Sequence, residues 1–596
     1  ILPSSGLAYD FGDSEVIDWS INPTEIEYVE WTWQLSRHGF WQTLGQAYWA
    51  TGDERYAKAF VHQMTSWVKF NTLHDFADQV KYSRWRTIET GIRTLGSWPA
   101  SFFYFLGSPS FDDEAVILMV KSFYEHAIHL RAYPTRNNWL TMEMDGLFYT
   151  GILFPEFKDA ADWRDFASMK MYEEEKNQFY EDGAQIELSP GYHGVSLGCM
   201  VGIYRIAKLN GYTLPGDYAE RLEKMYEYYQ NILLPDGRIP SLNDGHWNQR
   251  RSTLTQGYEY MPHRTDFQYV GSEGKEGTAP SYTSVWMPWA GWYVMRSGWD
   301  ADALYSIFEV GPYGAGHQHE DKLTFSIHAY GNTLISEGGK YDYDTSQWRD
   351  YVLSARAHNV TRVDGQDQRR RARASEDLIL HSRKPLENRW ISNEQVDFGE
   401  GWYNEGFGAK LDTTVTQYRA LTFVKNKYWL LFDVFTPSDA ATHTYNSWFH
   451  FDTTDYTITS APYAVLSTEK GASNIAIIPM RSEGANLKVI IGQEDPEVQG
   501  WISDLLENGQ GEKYEVHKAA TTEVIRNAAG QVVEPYLLYP LREGETLPVK
   551  EVKALDNQTL EIVYNDGHSE KVAYSIKGNS LETLTITTEK GEIKVL

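Results

Sequence analysis

Two histidines separated by one residue are the first candidates for chemistry in this sequence. His317 and His319 lie in the run Gly316-His-Gln-His-Glu-Asp321, in a segment that we expect to be a β-strand. Because side chains alternate along a strand, both imidazoles would share one face. An imidazole accepts a proton near neutral pH or binds a metal, so the pair predicts a proton acceptor, a metal site or one of each.

A carboxylate and a further histidine follow this pair at Glu337 and His358. Imidazoles combined with a carboxylate suit zinc, so His319, Glu337 and His358 form a candidate metal-ligand set. The alternative is that they are histidines of strands and loops without any ligand.

An amide and a phenol complete the candidate chemistry, far upstream of the histidines. Asn137 and Asn138 precede an apolar helical pattern, where a turn and a helix N-cap are the usual reason for asparagine. The amide of Asn138 could also donate to a carboxylate at that helix end. Tyr192 follows Pro190-Gly191 at a loop–helix junction, from which it could reach a cavity or simply pack.

Further polar residues could contact a substrate or serve only the fold. Arg86 could grip a carboxylate or pair on a helix surface. His246 could line a cleft or stand in a turn. The basic run of Arg369, Arg370, Arg371 and Arg373 could bind an anion or form a solvated hairpin.

Composition and charge limit the classes of function. The chain has 596 residues and a formal net charge of −28, which argues against general binding to nucleic acid or an anionic membrane. The 21 Trp, 40 Tyr and 25 Phe fit sugar binding, although most should fill helix interfaces. The single cysteine, Cys199, excludes an intrachain disulfide, and no apolar run is long enough to span a bilayer.

Hydrophobic periodicity divides the chain into helical and β-rich parts. Residues 1–270 read as helical hairpins, with an apolar stripe at Ala57, Phe60, Val61, Met64, Trp67 and Val68. Residues 271–284 are typical of a linker. Short β-branched and aromatic runs then predict an antiparallel β-sandwich over residues 285–540 and a small β module over 541–596. The fold class is therefore multidomain α+β.

The quoted motifs resemble the heparinase II/III superfamily of polysaccharide lyases, and the heparinase III-like branch in particular. The pieces that carry the resemblance are Asn137-Asn-Trp139, Glu143-Met-Asp-Gly146, Ser189-Pro-Gly-Tyr-His193, Gly316-His-Gln-His319 and His358-Asn-Val360. The resemblance implies an N-terminal incomplete α/α toroid followed by antiparallel β-sheets.

The resemblance also implies roles for individual residues. Asn138 would neutralise the carboxylate of a substrate uronate, while Tyr192 and His317 would be the proton-transfer pair. His319, Glu337 and His358 would hold one divalent metal, zinc, with a structural role. We expect substrate contacts from a wider set: Arg86, Asn137, Glu143, His193 and His246.

Two departures from the family pattern bear on these roles. Many relatives have His directly after the catalytic Asn, where this chain has Trp139, so proton transfer falls more heavily on His317 and Tyr192. The family's metal carboxylate is commonly Asp, whereas Glu337 matches that position here.

The implied reaction is β-elimination beside a uronic acid, which leaves a 4,5-unsaturated uronate end. We favour His317 as base and Tyr192 as acid, since a tyrosine is already protonated near neutral pH. With few basic clusters, the chain favours sparsely sulfated or unsulfated polymers: low-sulfate heparan, heparosan, hyaluronan or a bacterial glucuronate exopolysaccharide. Because a signal peptide could have been removed before Ile1, we expect a secreted or periplasmic protein.

Two other classes of function stay open. A glycoside hydrolase on an α/α toroid would need two carboxylates, for which Glu143, Asp145, Glu187 and Asp244 are available. A non-catalytic glycan-binding protein would explain the aromatic residues but not a proton-transfer pair. The oligomeric state cannot be read from the sequence.

Overall fold

A computed structural model describes residues 7–12, 14–24, 29–73, 83–373, 384–505 and 514–596. Contacts divide the chain into two compact units. The first, here called the helical unit, contains the described residues of 1–179 and 194–222. The second, the β-rich unit, contains residues 180–193, 223–505 and 514–596.

Helices occupy most of the described chain as far as Gly271. The helices are α1 (Val29–Arg37), α2 (Phe40–Thr51), α3 (Glu54–Phe70), α4 (Thr87–Ile92), α5 (Trp98–Phe105), α6 (Asp113–Ala132), α7 (Asn137–Leu153), α8 (Ala160–Gln178), α9 (Pro190–Leu209), α10 (Tyr218–Ile232), α11 (Arg251–Tyr260), α12 (Thr265–Gly271) and α13 (Gln347–Leu353). A π-helical turn, Arg93–Ser97, joins α4 to α5.

The helical unit is built around a core rich in tryptophan. Helix α3 begins where Asp53 accepts a hydrogen bond from the Arg55 amide, and it buries the predicted stripe at Ala57, Phe60 and Met64. Trp31, Trp41, Trp67, Trp85 and Trp98 belong to the same core. The tryptophans here fill helix interfaces, as expected for most of them.

Antiparallel strands dominate the chain after Ser284. The strands are β1 (Arg238–Ile239), β2 (Asn248–Gln249), β3 (Val285–Met287), β4 (Trp292–Arg296), β5 (Tyr305–Glu309), β6 (Phe325–Ala329), β7 (Asn332–Ile335), β8 (Thr361–Val363), β9 (Trp390–Ser392), β10 (Val396–Tyr403), β11 (Val415–Val424), β12 (Tyr428–Pro437), β13 (Thr442–His450), β14 (Tyr456–Ser460), β15 (Tyr463–Ser467), β16 (Asn474–Pro479), β17 (Ala485–Ile491), β18 (Trp501–Leu505), β19 (Tyr514–Lys518), β20 (Ala520–Ala529), β21 (Val532–Leu541), β22 (Val549–Ala554), β23 (Thr559–Tyr564), β24 (Ser569–Lys577), β25 (Ser580–Thr588) and β26 (Gly591–Lys594).

The largest sheet of the described chain separates two cores. Its strand order is β14-β15-β16-β21-β12-β11-β10-β9, and β12 is buried on both faces. Trp429 and Leu431 pack into one core, while Leu430 and Phe432 pack into the other, as the two-residue period requires. The first core is shared with the sheets β3–β7 and β17-β20-β13-β8, and the second with the C-terminal sheet β22–β26.

The predicted fold class, helical first and antiparallel β second, is confirmed. One local prediction is wrong: the segment with His317 and His319 is not a strand but an irregular loop between β5 and β6. His317 has a φ of +54°, which no β-strand residue adopts. Within the described ranges, no helix combines the length and apolar character needed to cross a bilayer.

Candidate active site

The rings of Tyr192 and His317 are stacked in the β-rich unit. Their centroids lie 3.5 Å apart, and their planes are inclined by 14°. Tyr192 lies in the first turn of α9, and His317 lies in the loop between β5 and β6. The two residues are 125 positions apart, counted from their numbers, so the fold and not local sequence brings them together. A phenol and an imidazole in contact can act as acid and base on the same part of a substrate.

A second tyrosine, Tyr343, connects the members of this pair. Its hydroxyl lies 3.0 Å from Nδ1 of His317 and is hydrogen-bonded to the hydroxyl of Tyr192. It also donates to Oδ2 of Asp244 over 3.2 Å. Burial, followed by the negative charge of Asp244, raises the pKa of Tyr343, so this phenol stays protonated.

Several side chains of the site share Asp244 as a hydrogen-bond partner. Its carboxylate lies 3.1 Å from Nδ1 of His317 and 3.0 Å from Nε2 of His319, and Arg349 donates to it through both terminal nitrogens at 2.5 and 2.9 Å. Burial would raise the pKa of Asp244, but hydrogen bonds from the two histidines and Arg349 outweigh it and hold the pKa well below its usual range. The two imidazoles therefore share one anion although no strand aligns them.

The Asp244 contact fixes the tautomer of His317. An ionised carboxylate only accepts hydrogen bonds, so Nδ1 of His317 carries the proton and Nε2 keeps its lone pair. The His317 side chain is a quarter exposed, whereas that of Asp244 is fully buried. The geometry thus presents an oriented imidazole with an available basic nitrogen.

Three residues with left-handed backbone lie at this site, and hydrogen bonds of Asn243 and Asp244 hold their segments together. Leu188, Asn243 and His317 have φ of +50°, +54° and +54°. Asn243 donates through Nδ2 to the Leu188 carbonyl over 2.9 Å and accepts from the His319 amide over 2.9 Å. The Asp244 amide donates to the His317 carbonyl over 3.0 Å. Such conformations cost free energy in residues other than glycine and persist where surrounding contacts enforce them, which is typical of functional sites.

The basic run at Arg369–Arg371 supports the histidine loop. The fully buried guanidinium of Arg370 donates to Glu405 and to the Gly311 carbonyl, and Arg371 donates to the Gln318 carbonyl over 3.0 Å. The sequence left open whether this run binds an anion or forms a solvated hairpin. Arg370 does neither, because its guanidinium is buried and bonded within the protein. Arg369 is exposed.

Lys340 lies beside the pair, although the motifs did not point to it. Its Nζ atom lies over the rings of Tyr192, Tyr343 and Tyr514, at 5.7, 5.3 and 5.1 Å from their centroids. The residue is only 5% exposed. His246 is also nearly buried, with Nδ1 3.5 Å from the hydroxyl of Tyr514.

The predicted metal ligands are close together and fully buried. The rings of His319 and His358 have centroids 5.3 Å apart, and Nδ1 of His358 is hydrogen-bonded to Glu337. Nε2 of His358 donates to the Val352 carbonyl over 3.1 Å, and Nδ1 of His319 is buried without a hydrogen bond. In both rings a protein acceptor occupies Nε2, which leaves Nδ1 as the nitrogen that would bind an ion.

The donors nevertheless do not converge into a closed ligand set. Among the described residues, no group of three His, Cys, Asp or Glu side chains is arranged to hold a metal ion. His358 instead pairs with Glu337, whose charge raises the pKa of the ring against the opposing effect of burial.

Asn138 stands in the first turn of α7 in the helical unit. It is half-buried, and within the described chain its side-chain amide has no hydrogen-bond partner. Asn137 is exposed, with a φ of +58°, and its backbone amide donates to Glu174 over 2.9 Å. Glu143 is buried and accepts from the amide and hydroxyl of Thr135, both at 2.8 Å. Glu143 therefore holds the turn before α7, and it offers no free carboxylate for a substrate.

Arg86 lies between two indoles of the same unit. Its guanidinium carbon lies 4.0 Å from the ring centroid of Trp33 and 4.7 Å from that of Trp139. Nε lies 3.5 Å from Glu89, and Nη1 is buried without a hydrogen bond. Trp139 directly follows Asn138 and stands where many relatives have histidine. Its indole packs against the Arg86 guanidinium.

His193 is placed differently from the expected substrate contact. It is fully buried, its Nε2 lies 3.0 Å from the Met225 carbonyl, and its ring stacks on Tyr228. Burial lowers the pKa of His193 to about 3, so the ring stays neutral. This packing makes it a core histidine with no surface for a ligand.

Sequence motifs missed Tyr343, Arg349 and Lys340. Each lies in a stretch without a recognisable spacing, and only the fold brings it to Tyr192 or Asp244. In the sequence, Asp244 was only one of four carboxylates considered for a glycoside hydrolase. The one available signal was the density of polar and aromatic residues between Lys340 and Arg349.

Comparisons with known proteins agree with this description. Residues 4–269 match the family described as heparinase II/III N-terminus, and residues 279–513 match the one described as heparinase II/III-like, C-terminal. A heparin-sulfate lyase of Pedobacter heparinus is 29% identical over 443 residues, 72% of this chain and 63% of the relative. One of Bacteroides stercoris is 30% identical over 387 residues, 61% of this chain and 58% of the relative. The match thus spans about three fifths of these relatives' length.

Solved structures share the fold. A heparan sulfate lyase from Pedobacter heparinus superposes with a TM-score of 0.70 at 23% identity, covering 100% of this chain and 86% of that one. A heparinase III superposes with a TM-score of 0.76 at 20% identity, covering 95% and 86%. Since both the N-terminal and the C-terminal family regions match in their proper order, the chain belongs to the heparinase II/III family.

Proposed function

We propose that this protein is a polysaccharide lyase that cleaves a uronic-acid-containing polysaccharide by β-elimination and leaves a 4,5-unsaturated uronate. The observation that carries the proposal is the contact between Tyr192 and His317, whose ring centroids are 3.5 Å apart. The heparin-sulfate lyases to which the chain is similar support the same class of reaction.

In the proposed reaction His317 is the base. Its Nε2 takes the proton from C5 of the uronate, and the electron pair of that bond becomes the C4–C5 double bond. Asp244 holds the proton on Nδ1 and stabilises the imidazolium that forms. Arg349, paired with the same carboxylate, keeps Asp244 in place.

Tyr192 is the acid of the reaction. Its hydroxyl gives a proton to the C4 oxygen as the bond between C4 and that oxygen breaks. Tyr343 is hydrogen-bonded to Tyr192 and lies within reach of Nδ1 of His317, so it connects the group that gains a proton to the group that loses one.

The carboxylate of the uronate needs hydrogen-bond donors, since charge builds on it as the C5 proton leaves. We assign this role to Asn138, whose side-chain amide is half-exposed and has no partner among the described residues. Arg86, Asn137 and His246 are candidates for substrate binding. Glu143 and His193 are left out because both are buried and bonded within the protein.

The proposed substrates are sparsely sulfated or unsulfated polymers: low-sulfate heparan, heparosan, hyaluronan or a bacterial glucuronate exopolysaccharide. The similar proteins are named heparin-sulfate lyase and heparan sulfate lyase, which favours heparan among these. Because Arg370 is consumed by internal ion pairs, it is not available for sulfate groups.

We propose two further properties. A divalent metal, zinc, would be held by His319, Glu337 and His358 and would brace the histidine loop; metal analysis of the purified protein and of a His319→Ala variant tests this. The second is a secreted or periplasmic location, which a localisation measurement tests.

The glycoside hydrolase alternative has less support. It needs two carboxylates that reach a glycosidic bond. Glu143, Asp145, Glu187 and Asp244 are all buried, and Asp244 is held ionised by three cationic or imidazole donors. A glycan-binding protein would not require the oriented imidazole beside a phenol.

The test is an ultraviolet progress curve with a panel of uronate polymers, followed by sizing of the products. Wild-type protein should generate the absorbing double bond, and Tyr192→Phe should lower kcat by about 10²-fold or more. Tyr456→Phe, a change at a half-exposed tyrosine of β14, is the matched control. Hydrolysis without absorbance, or full turnover by Tyr192→Phe, would reject the assignment.

A further inference from the structure

The chain segment just before Tyr192 is hydrogen-bonded at three consecutive backbone carbonyls, those of residues 186–188. The first carbonyl accepts from the backbone amide of Ala315 over 2.9 Å. The second accepts from Nε2 of Gln318, and the third accepts from Nδ2 of Asn243 over 2.9 Å. Two of these three bonds therefore come from side-chain amides.

The same two amides are also bonded to the loop that carries His317. Oδ1 of Asn243 accepts from the backbone amide of His319 over 2.9 Å, and Oε1 of Gln318 accepts from a backbone amide of its own loop over 2.8 Å. An amide side chain suits this use because it carries a donor and an acceptor at once. Each amide thus joins the segment of Tyr192 to the loop of His317, and all of these residues belong to the β-rich unit.

We propose that Asn243 and Gln318 are positioning residues, whose side-chain amides set the contact between Tyr192 and His317 in the elimination reaction. This inference rests on the proposed lyase function. Both residues are only 1% exposed, so they act through the two rings and not on the substrate. Neither amide gains or loses a proton in the step. Their effect is geometric, because a displacement of about 1 Å in a reacting group can slow a reaction by about 10²-fold.

Position 243 combines an amide with an unusual backbone conformation. Asn243 has a φ of +54°, and asparagine is one of the few residues other than glycine that adopt this region readily. Glycine would keep the backbone conformation and remove only the side chain. Asn243→Gly therefore separates the role of the amide from that of the conformation, which Asn243→Ala would not do.

The experiment measures kcat and KM by ultraviolet absorbance for the full-length protein, on a uronate polymer that the wild type cleaves. The variants are Asn243→Gly and Gln318→Met, and the second keeps a long side chain but removes its amide. Each should lower kcat by about 10- to 100-fold and change KM by less than about threefold, because the rings are displaced while no substrate contact is removed.

Two matched controls leave the site untouched. Asn426→Gly repeats the change from asparagine to glycine at an exposed turn with a φ of +62°. Gln230→Met removes a fully buried amide of α10 that donates to Asp266 and Tyr282, both over 3.1 Å. Gln230→Met should lower thermal stability, since two buried acceptors lose a donor. Both controls should keep the wild-type kcat per folded protein.

A double variant distinguishes positioning from a general effect on the fold. Once Tyr192→Phe has removed the acid, no pair is left to position. Adding Asn243→Gly or Gln318→Met should then lower the residual kcat by less than about threefold, because residues that act as a unit are not additive. A merely structural role would lower kcat by the same factor in both backgrounds.

The outcomes separate this inference from the function on which it rests. If wild-type protein yields no absorbing product on any uronate polymer, the proposed function fails. If the wild type is active but either single variant keeps its kcat, or its effect multiplies with that of Tyr192→Phe, the inference fails and the function stands. Thermal unfolding gives the folded fraction to which each kcat is referred, and Gln318→Met carries the test if Asn243→Gly does not fold.

Discussion

The hydroxyl of Tyr343 donates to Asp244 over 3.2 Å, and this bond ties the proposed acid to the anchored carboxylate behind the proposed base. The same hydroxyl is hydrogen-bonded to Tyr192 and lies 3.0 Å from Nδ1 of His317. One phenol oxygen therefore contacts all three partners. A position with so many shared contacts should tolerate the loss of the oxygen poorly, even when the ring remains.

Tyr343→Phe tests this position. The change removes the oxygen that joins Tyr192, His317 and Asp244 but keeps the ring that packs under Lys340. We expect kcat to fall by about 10- to 100-fold with KM changed less, because a proton-transfer contact and not a binding contact is lost. Steady-state kinetics by ultraviolet absorbance measures both. A variant with wild-type kcat would show that Tyr343 only fills space.

Asp244→Asn removes the negative charge but keeps the shape of the side chain. The amide can offer its NH2 group toward His317, which would favour the tautomer with its proton on Nε2 and so occupy the basic nitrogen. We expect a fall in kcat of about 10²–10⁴-fold, as for other carboxylates that orient a catalytic imidazole. The exposed change Asp302→Asn should leave kcat unchanged.

The same Asp244→Asn variant should also lose stability. Arg349 and the carboxylate form a bidentate pair in a buried setting, and removal of one partner leaves the other charge uncompensated. The expected cost is about 3–5 kcal/mol in the free energy of unfolding. Denaturant unfolding measures it, and an unchanged midpoint with reduced kcat would restrict Asp244 to orienting His317.

The sequence named Tyr192 and His317, which the structure brings into contact, but not the network behind them. Tyr192 and His317 stand in short motifs with unusual composition, and they could be named from a resemblance. Their contact depends on the left-handed backbone at Leu188, Asn243 and His317, and a strand was the expected conformation for the last of these. Backbone strain enforced by distant contacts leaves no periodic pattern, so the sequence predicted a strand at His317 where the structure has a loop.

The helices and the long strands were easier to predict than the site. Strand β11, at Val415–Val424, lies in the region predicted to be a β-sandwich, and α6, at Asp113–Ala132, lies in the region predicted to be helical. Both elements bury a continuous or periodic apolar pattern, which is a local property of the sequence. Arg349, by contrast, belongs to the short helix α13 and meets Asp244 only through the tertiary fold.

Close packing of α4 against α7 predicts a stability effect in the helical unit. A Cβ on Gly146 would lie 2.3 Å from Oγ1 of Thr94 and 2.6 Å from the Gly91 carbonyl oxygen. We expect Gly146→Ala to lower the free energy of unfolding by about 1–3 kcal/mol, because backbone would have to shift. Gly198→Ala in α9 has open space around its Cβ and should stabilise by about 0.5–1 kcal/mol. Equal effects of the two changes would contradict the predicted packing.

A buried histidine of the helical unit predicts a pH dependence of stability. Nε2 of His126 accepts a hydrogen bond from Nε of Arg93 over 2.9 Å, and its Nδ1 donates to the Ser122 carbonyl over 2.7 Å. Burial, and then the charge of Arg93, hold the pKa of His126 well below 6.5. The folded state therefore leaves this ring neutral at a pH where the unfolded chain takes up a proton.

The sign of the effect follows from the proton count. Stability from neutral His126 is fully present above about pH 6.5 and is lost as pH falls toward the folded-state pKa, by up to about 1.4 kcal/mol per pH unit. His126→Gln keeps an acceptor for Arg93 but cannot titrate, so its unfolding free energy should fall less steeply between about pH 7 and pH 5. Denaturant unfolding followed by tryptophan fluorescence measures the slope, since Trp67, Trp85 and Trp98 surround this ring. His62→Gln, at an exposed position of α3, should keep the wild-type slope; if His126→Gln keeps it as well, His126 is not the group that takes up the proton.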